Sequence, residues 1–232
     1  MGGWFDADGD GKPEVVYYNG WRGDEHIVSP KEKIEADEFT KFEGSNAKAL
    51  GIENMAEACV QGRGVLVDLE QRHGRDRALV GYDELMRILE EDNIEIEEGD
   101  MACFHTGFAQ GLMDMNKNPN EHDLHNTFAC LDGRDEKLQD WIRDSGISVI
   151  IADNYGIEDV SSPLPTGTNP IAMLPLHELC IFKLGIHIGE MFYLTPLRDW
   201  LRKNKRNRFL LTAPPLRLPG AVGSPPSPIA TV

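Results

Sequence analysis

No stretch of this sequence approaches the roughly 18 consecutive apolar residues that a membrane-crossing helix requires, so no spanning segment is expected. Cysteine is scarce. The four thiols, Cys59, Cys103, Cys130 and Cys180, are far apart and form no C-x-x-C pair. They read as free thiols in a reducing compartment, and a cytoplasmic location is expected. Positive charge is also short: 23 Lys and Arg stand against 39 Asp and Glu, a formal net charge of −16. That balance disfavours a nucleic-acid surface and favours solubility. The opening residues, MGGWFDADGD, carry neither a basic region nor an apolar run, so no secretory leader is expected. The words of several common chemistries are missing. There is no G-x-S-x-G for a serine hydrolase, no P-loop and no G-x-G-x-x-G. The stretches TGTNP and GAVGSP contain glycine with threonine or serine, but lack a strand–turn–helix setting.

What is there alternates between strand and helix patterns. RGVLVDL (63–69) fits a buried strand, and YDELMRILEEDN (82–93) places Tyr82, Leu85, Ile88 and Leu89 at helical spacing. DMACFHTG (100–107) reads as a second strand. DEKLQDWIRDSG (135–146) has acids in its first turn, sets Leu138, Trp141 and Ile142 on one face and stops at Gly146. ISVIIAD (147–153) follows as a strand, LHELCIFKLG (176–185) as a helix and IHIGEMFYL (186–194) as a strand. TPLRDWLRKN (195–204) predicts a helix with Thr195 as N-cap and Pro196 at its first position. RFLLTAPP (208–215) is the last strand expected, and the proline- and glycine-rich tail reads as irregular. The pattern is α/β, one domain over residues 1–232, with helices covering a sheet. The order of the strands is not legible.

Several stretches offer candidate sites. Asp6, Asp8, Asp10 and Gly11 imitate the first half of a calcium loop. The twelfth position falls on Tyr17, where a bidentate glutamate is needed, and the flanks are strand-like. A tight hairpin turn is the better reading, with a calcium module as a lesser one. His122 and His125 have metal-ligand spacing but sit in NPNEHDLHN, which reads as loop. In LPLHELCIFKLGIHIGEMFYL, His177 begins a helix and His187 and Glu190 lie on the next strand. Nitrogen and carboxylate ligands from adjacent elements suit zinc or manganese. On a regular strand, residues 187 and 190 face opposite sides, so one of them at most shares a pocket with His177. A satisfied polar pair is the bland alternative. The basic run 202–208 reads as a solvated helix end. Trp4, Tyr17, Tyr18 and Phe192 are candidates to line a pocket or to pack a core.

The words VYYNGW, GIENMAEACVQGRGVLVDL, GDMACFHTG, DWIRDSGISVIIADNYGIE, LHELCIFKLGIHIGE and FLLTAPPLRLPGAVGSPPSPIA occur in an order that resembles the cyclase family. That family comprises metal-dependent amidohydrolases, including bacterial kynurenine formamidase and isatin hydrolase. The resemblance runs from about residue 16 to the end. It implies a swivelling β/β/α fold with a mixed sheet, assembled as a homodimer or homotetramer. It implies hydrolysis of a small-molecule amide or formamide, as in tryptophan catabolism, by water activated on a divalent metal. The family's H-x-G-T-H-x-D-x-P-x-H motif is not in this sequence and would fall before Met1, so a chain truncated at its N-terminus is expected. Of the remaining site, His177 and Glu190 match the family's later histidine and glutamate within one residue of spacing, and the resemblance makes them metal ligands and catalytic residues. The alternative is a non-catalytic cyclase-like binding or oligomerising protein whose metal is lost with the motif.

Overall fold

The computed structural model describes residues 2–28, 46–162 and 172–232, and TGTNP lies outside them. The chain forms two compact units, residues 1–61 with 211–229, and residues 62–210 with 230–232.

In the first unit, β1 (Gly3–Phe5) and β2 (Glu14–Val16) pair antiparallel. The expected hairpin turn lies between them. The Asp6 carboxylate accepts from the Gly9 and Gly11 amides at 2.8 and 3.0 Å, and both glycines adopt positive φ, which a side chain resists. Strands flank this loop where a calcium-binding hand has helices. Helix α1 (Ile52–Ala58) is tied to the C-terminal segment, since Ile52 N donates to Ala221 O and Glu53 accepts from Gly220 N.

The second unit carries most of the sheet. Its strands are β3 (Gln61–Asp68), β5 (Met101–His105), β7 (Val149–Ala152), β8 (His187–Gly189), β9 (Arg208–Thr212) and β10 (Ile229–Thr231); β4 (Ala78–Val80) and β6 (Ala129–Leu131) form a separate parallel pair. The six-stranded sheet is mixed, with order β10-β9-β3-β5-β7-β8, and β3, β5, β7 and β8 run parallel. Helices α2 (Leu69–His73), α3 (Tyr82–Glu91), α4 (Phe108–Asp114), α5 (Glu121–Asn126), α6 (Glu136–Ser145), α7 (Pro175–His177) and α8 (Thr195–Asn204) connect the strands, and α7 continues as π-helical turns over Glu178–Leu184. Parallel strands covered by helices read as continuous apolar runs. Here Val67, Phe104 and Ile150 pack in one core with Leu85 and Ile88 of α3 and Leu138 and Ile142 of α6. Among the described residues no helix is long and apolar enough to cross a membrane.

Four expectations need correction. His122 and His125 lie on helix α5, not in a loop, because Asn120 caps that helix by accepting from Asp123 N. Thr195 is inside α8, whose N-cap is Leu194, and its buried hydroxyl faces His105. The strand expected over 186–194 stops at Gly189, and Met191 takes positive φ just beyond. The tail is not wholly irregular, since Ile229–Thr231 joins the sheet edge.

One acid organises two helices. Asp135 Oδ1 accepts from Lys137 N and Leu138 N at the start of α6, and Oδ2 accepts from Tyr82 N at the start of α3. Asp135→Ala removes both caps and is expected to cost about 2 kcal/mol in urea unfolding, about twice a single cap.

Candidate metal centre

The parallel register aligns four polar residues at the C-terminal ends of four strands. Asp68 ends β3 and pairs in register with His105, which ends β5. Phe104 pairs with Ala152, so Asp153 comes just past the end of β7, and Ile151 pairs with Gly189, so Glu190 comes just past the end of β8. This is the end of a parallel sheet where ligands commonly bind. Two clusters form along it.

The first cluster is centred on His177, the last residue of α7. Its Nδ1 lies 2.9 Å from Glu158 Oε1, and its Nε2 lies 3.2 Å from Glu190 Oε1. Glu158 is 1% exposed, and it also accepts from Leu176 N at 2.9 Å and His177 N at 3.0 Å. Leu174, the N-cap of α7, makes no side-chain cap bond, so Glu158 supplies one from another segment. The sequence therefore brings His177 and Glu190 together. The alternation argument does not govern Glu190, which lies past the end of β8, whereas His187 is on β8 and exposed. Burial alone would lower the His177 pKa. The hydrogen bond to Glu158, the Glu190 carboxylate 3.2 Å away and the charges of both override that and carry it up to about 9.

The sign of that shift gives a stability prediction for the chain freed of metal. The folded state binds a proton at His177 more tightly than an unfolded imidazole of pKa about 6.5 does. The stabilisation, up to about 3 kcal/mol, is fully present below pH 6.5 and is lost as pH rises toward 9. Urea midpoints in EDTA at pH 6.5 and 9.5 are expected to fall in that order, and Glu190→Gln to lessen the drop.

The second cluster was missed in the sequence. Asp68, Glu70 and His105 place ligand atoms within 4.8 Å of one another. His105, fully buried, lies 3.1 Å from Asp68 Oδ1 by Nδ1, and 3.5 Å from Thr195 Oγ1 and 3.8 Å from Asp153 Oδ2 by Nε2. Arginines already hold both acids: Arg202 Nε is 2.7 Å from Asp68 Oδ2 and Arg198 Nη1 is 2.6 Å from Glu70 Oε2. The basic run 202–208 is thus not wholly solvated, because its first residue turns to the sheet. Burial works to raise the Asp68 pKa, but His105 and Arg202 bring it below the usual range. At Asp153 burial prevails and pushes the carboxyl up, against the donors Thr106 and Gly107.

The two clusters differ in their fitness for a metal. Two ligands bonded to one tetrahedral ion at about 2 Å stand about 3.3 Å apart, close to the 3.2 Å between His177 Nε2 and Glu190 Oε1. The Nδ1–carboxylate bond behind the ring is the usual support of a metal-binding histidine. At Asp68, Glu70 and His105 an ion would compete with two guanidinium groups already paired to Asp68 Oδ2 and Glu70 Oε2, so that cluster is an ion-pair network first. His125 Nδ1 meets Tyr155 Oη at 2.6 Å, His122 is exposed, Trp4 is exposed on β1 and Phe192 is buried.

Residues 26–159 match the model of the Cyclase family. The chain is similar to the crystal structure of a novel cyclase at 25% identity and a TM-score of 0.69, over 99% of this chain and 65% of that one. It shares its fold with isatin hydrolase A from Ralstonia solanacearum, at 14% identity and a TM-score of 0.52, over 78% and 63% of the two chains. Isatin hydrolase A from Labrenzia aggregata, bound to benzyl benzoate, is similar at 14% identity and 0.54, over 78% and 65%. The chain therefore spans somewhat less than two thirds of the length of these structures. No protein of curated function matches by sequence.

Proposed function

This chain belongs to the cyclase family, whose model matches more than half of it, and from that premise we propose that it is a metal-dependent hydrolase of an amide or formamide carbon–nitrogen bond. The observation that carries the reading is the 3.2 Å approach of His177 Nε2 to Glu190 Oε1, with Nδ1 of the same ring backed by Glu158. In this reading His177 and Glu190 hold a zinc or manganese ion. A divalent ion bound there would supply Lewis acidity toward a carbonyl oxygen and lower the pKa of water. The side chains do the rest. Glu158 keeps the Nδ1 proton in place and leaves Nε2 to face Glu190. The Nδ1 side of the ring faces Glu158, whose side chain is fully buried. The Glu190 side chain, 33% exposed against 14% for His177, is the member of the pair that solvent and substrate reach. The proposed substrates are small aryl formamides of the N-formylkynurenine type or cyclic amides, and the proposed assembly is a homodimer or homotetramer in the cytoplasm.

Uptake and turnover test this together. After removal of metal and reloading with Zn²⁺ or Mn²⁺, about one ion per chain is expected, with N-formylkynurenine hydrolysis that EDTA stops and metal restores. Hydrolysis indifferent to EDTA would remove the reading. One observation favours a second reading, a cyclase-like protein that binds without catalysis. Among the described residues two side chains converge at His177 and Glu190, whereas catalytic zinc is commonly held by three. Stoichiometric uptake without turnover of any amide tested would decide for it.

A further inference from the structure

We infer that Glu158 is a positioning residue, which fixes the His177 ring with its Nδ1–H directed inward and Nε2 presented to Glu190. The inference rests on the reading that His177 and Glu190 hold a metal. Its argument begins with the number of donors that Glu158 gathers. Oε1 takes both the His177 amide and the ring Nδ1, and Oε2 takes the Leu176 amide. Two backbone donors fix the carboxylate before the ring arrives, so the imidazole meets a rigid acceptor rather than a mobile one. A buried carboxylate accepts only, which demands a proton on Nδ1. Nε2, on the side where Glu190 stands, is then the nitrogen at which a metal would take the place of a proton.

The segment that carries Glu158 is itself held. Leu131, the last residue of β6, donates to Ile157 O, and Asp159 N donates to Leu131 O. Gly133 leaves the space that the carboxylate fills. A Cβ at Gly133 would lie 1.9 Å from Glu158 Oε2. Gly133 does not adopt positive φ, so alanine there is not strained by its backbone. Its effect is to push the Glu158 carboxylate out of its place, against the three donors that hold it. Gly133→Ala thus moves the carboxylate while keeping its charge, whereas Glu158→Gln keeps the shape and removes the charge. In Glu158→Gln, one carboxylate oxygen becomes an amide donor: facing the Leu176 amide it opposes an N–H, facing the ring it removes the acceptor of the inward proton, and in both cases the negative charge that holds that proton is gone.

The test uses the full chain and Zn²⁺ alone as probe, at a temperature where each variant is folded by circular dichroism. Competition with a chromophoric chelator is expected to give a Zn²⁺ affinity 10- to 100-fold lower in Glu158→Gln, the range typical of outer partners of metal-binding histidines. Gly133→Ala is expected to fall in the same direction. By NMR without metal, the wild-type chain is expected to show a downfield, slowly exchanging Nδ1–H of His177, which both variants lose or shift. A Zn²⁺ affinity within twofold of wild type in both folded variants overturns the inference, as does an unaltered Nδ1–H resonance. Should Glu158→Gln fail to fold, Gly133→Ala decides by the same two readings. If the wild-type chain takes up no Zn²⁺, the metal reading fails. The Nδ1–H resonance then still judges Glu158: present in wild type and altered in the variants supports the positioning role, and absent in wild type overturns it.

Discussion

Replacing His177 with alanine is expected to lower Zn²⁺ affinity by more than about 100-fold and to abolish any metal-dependent amide hydrolysis. The loss of an outer partner of a metal ligand already weakens binding by 10- to 100-fold, and His177→Ala removes a ligand itself. It leaves Glu190, a single carboxylate with a third of its side chain in solvent, which water can satisfy as well as an ion can. The fold should survive. Glu158 loses the ring Nδ1 but keeps the amides of residues 176 and 177, because an alanine retains its backbone N–H. The stability lost is that of one hydrogen bond to a buried charge, roughly 1–3 kcal/mol. Glu190→Gln should also weaken Zn²⁺ binding, at a smaller cost in stability, because its side chain is partly exposed. Titration of both variants with Zn²⁺, beside thermal unfolding in EDTA, separates the two effects. If His177→Ala still takes up one ion per chain with wild-type affinity, the ion sits elsewhere. Asp68, Glu70 and His105 are then the cluster to change next.

The sequence told the elements apart where their patterns were strong. The runs ending in Asp68, His105 and Asp153 are apolar and short, and all three became parallel strands of the sheet. The helices over 82–91 and 136–145 announced themselves by periodicity and, for the second, by Asp135 ahead of it and Gly146 behind it. Short elements escaped. Strands β4 and β6 have three residues each, too few to show a period, and α5 is a polar helix without an apolar face that could have marked it. Thr195 was misplaced by one position because Thr-Pro is a strong helix-start signal, and here Leu194 already takes the cap. The proximity of His177 and Glu190 came from a resemblance, not from spacing, since strand alternation argued neither for nor against a residue just past the strand end. Glu158 and Asp153 were present in the quoted words but carried no local signal. Their roles come from partners 19 and 47 residues away, which sequence order does not reveal. A usable signal did exist: each apolar strand run ends in a charged or titratable residue, and in a parallel sheet such ends lie side by side.

Asp153→Ala is expected to be among the most destabilising single changes in the second unit, at about 3–5 kcal/mol. The residue is fully buried and sits where β7 ends. Its Oδ1 accepts from Thr106 N and Thr106 Oγ1, each at 2.7 Å, and its Oδ2 accepts from Gly107 N at 2.9 Å. Those donors belong to the sharp passage from β5 into α4, where Gly107 serves as N-cap with φ of 84° and has no side chain to satisfy the helix start. The carboxylate thus supplies from the neighbouring strand what the glycine lacks. Alanine leaves the Thr106 and Gly107 amides buried without partners and the Thr106 hydroxyl without its acceptor, though Oγ1 still accepts from Phe108 N, and it removes the acid lying 3.8 Å from His105 Nε2. Breaking a buried charged arrangement by removing one member is in this range. Asparagine should cost less than alanine, for two opposing reasons. Burial raises the Asp153 pKa, so a neutral side chain escapes part of the desolvation that the aspartate bears. The amide, however, has one acceptor where three donors converge on two oxygens, so its NH₂ must oppose Gly107 N or the Thr106 pair. Urea unfolding at pH 7 is expected to rank wild type, Asp153→Asn and Asp153→Ala in falling order of stability. An alanine variant within 1 kcal/mol of wild type would mean that water reaches the β5–α4 turn and satisfies it, and that the carboxylate is not what holds the strand ends together.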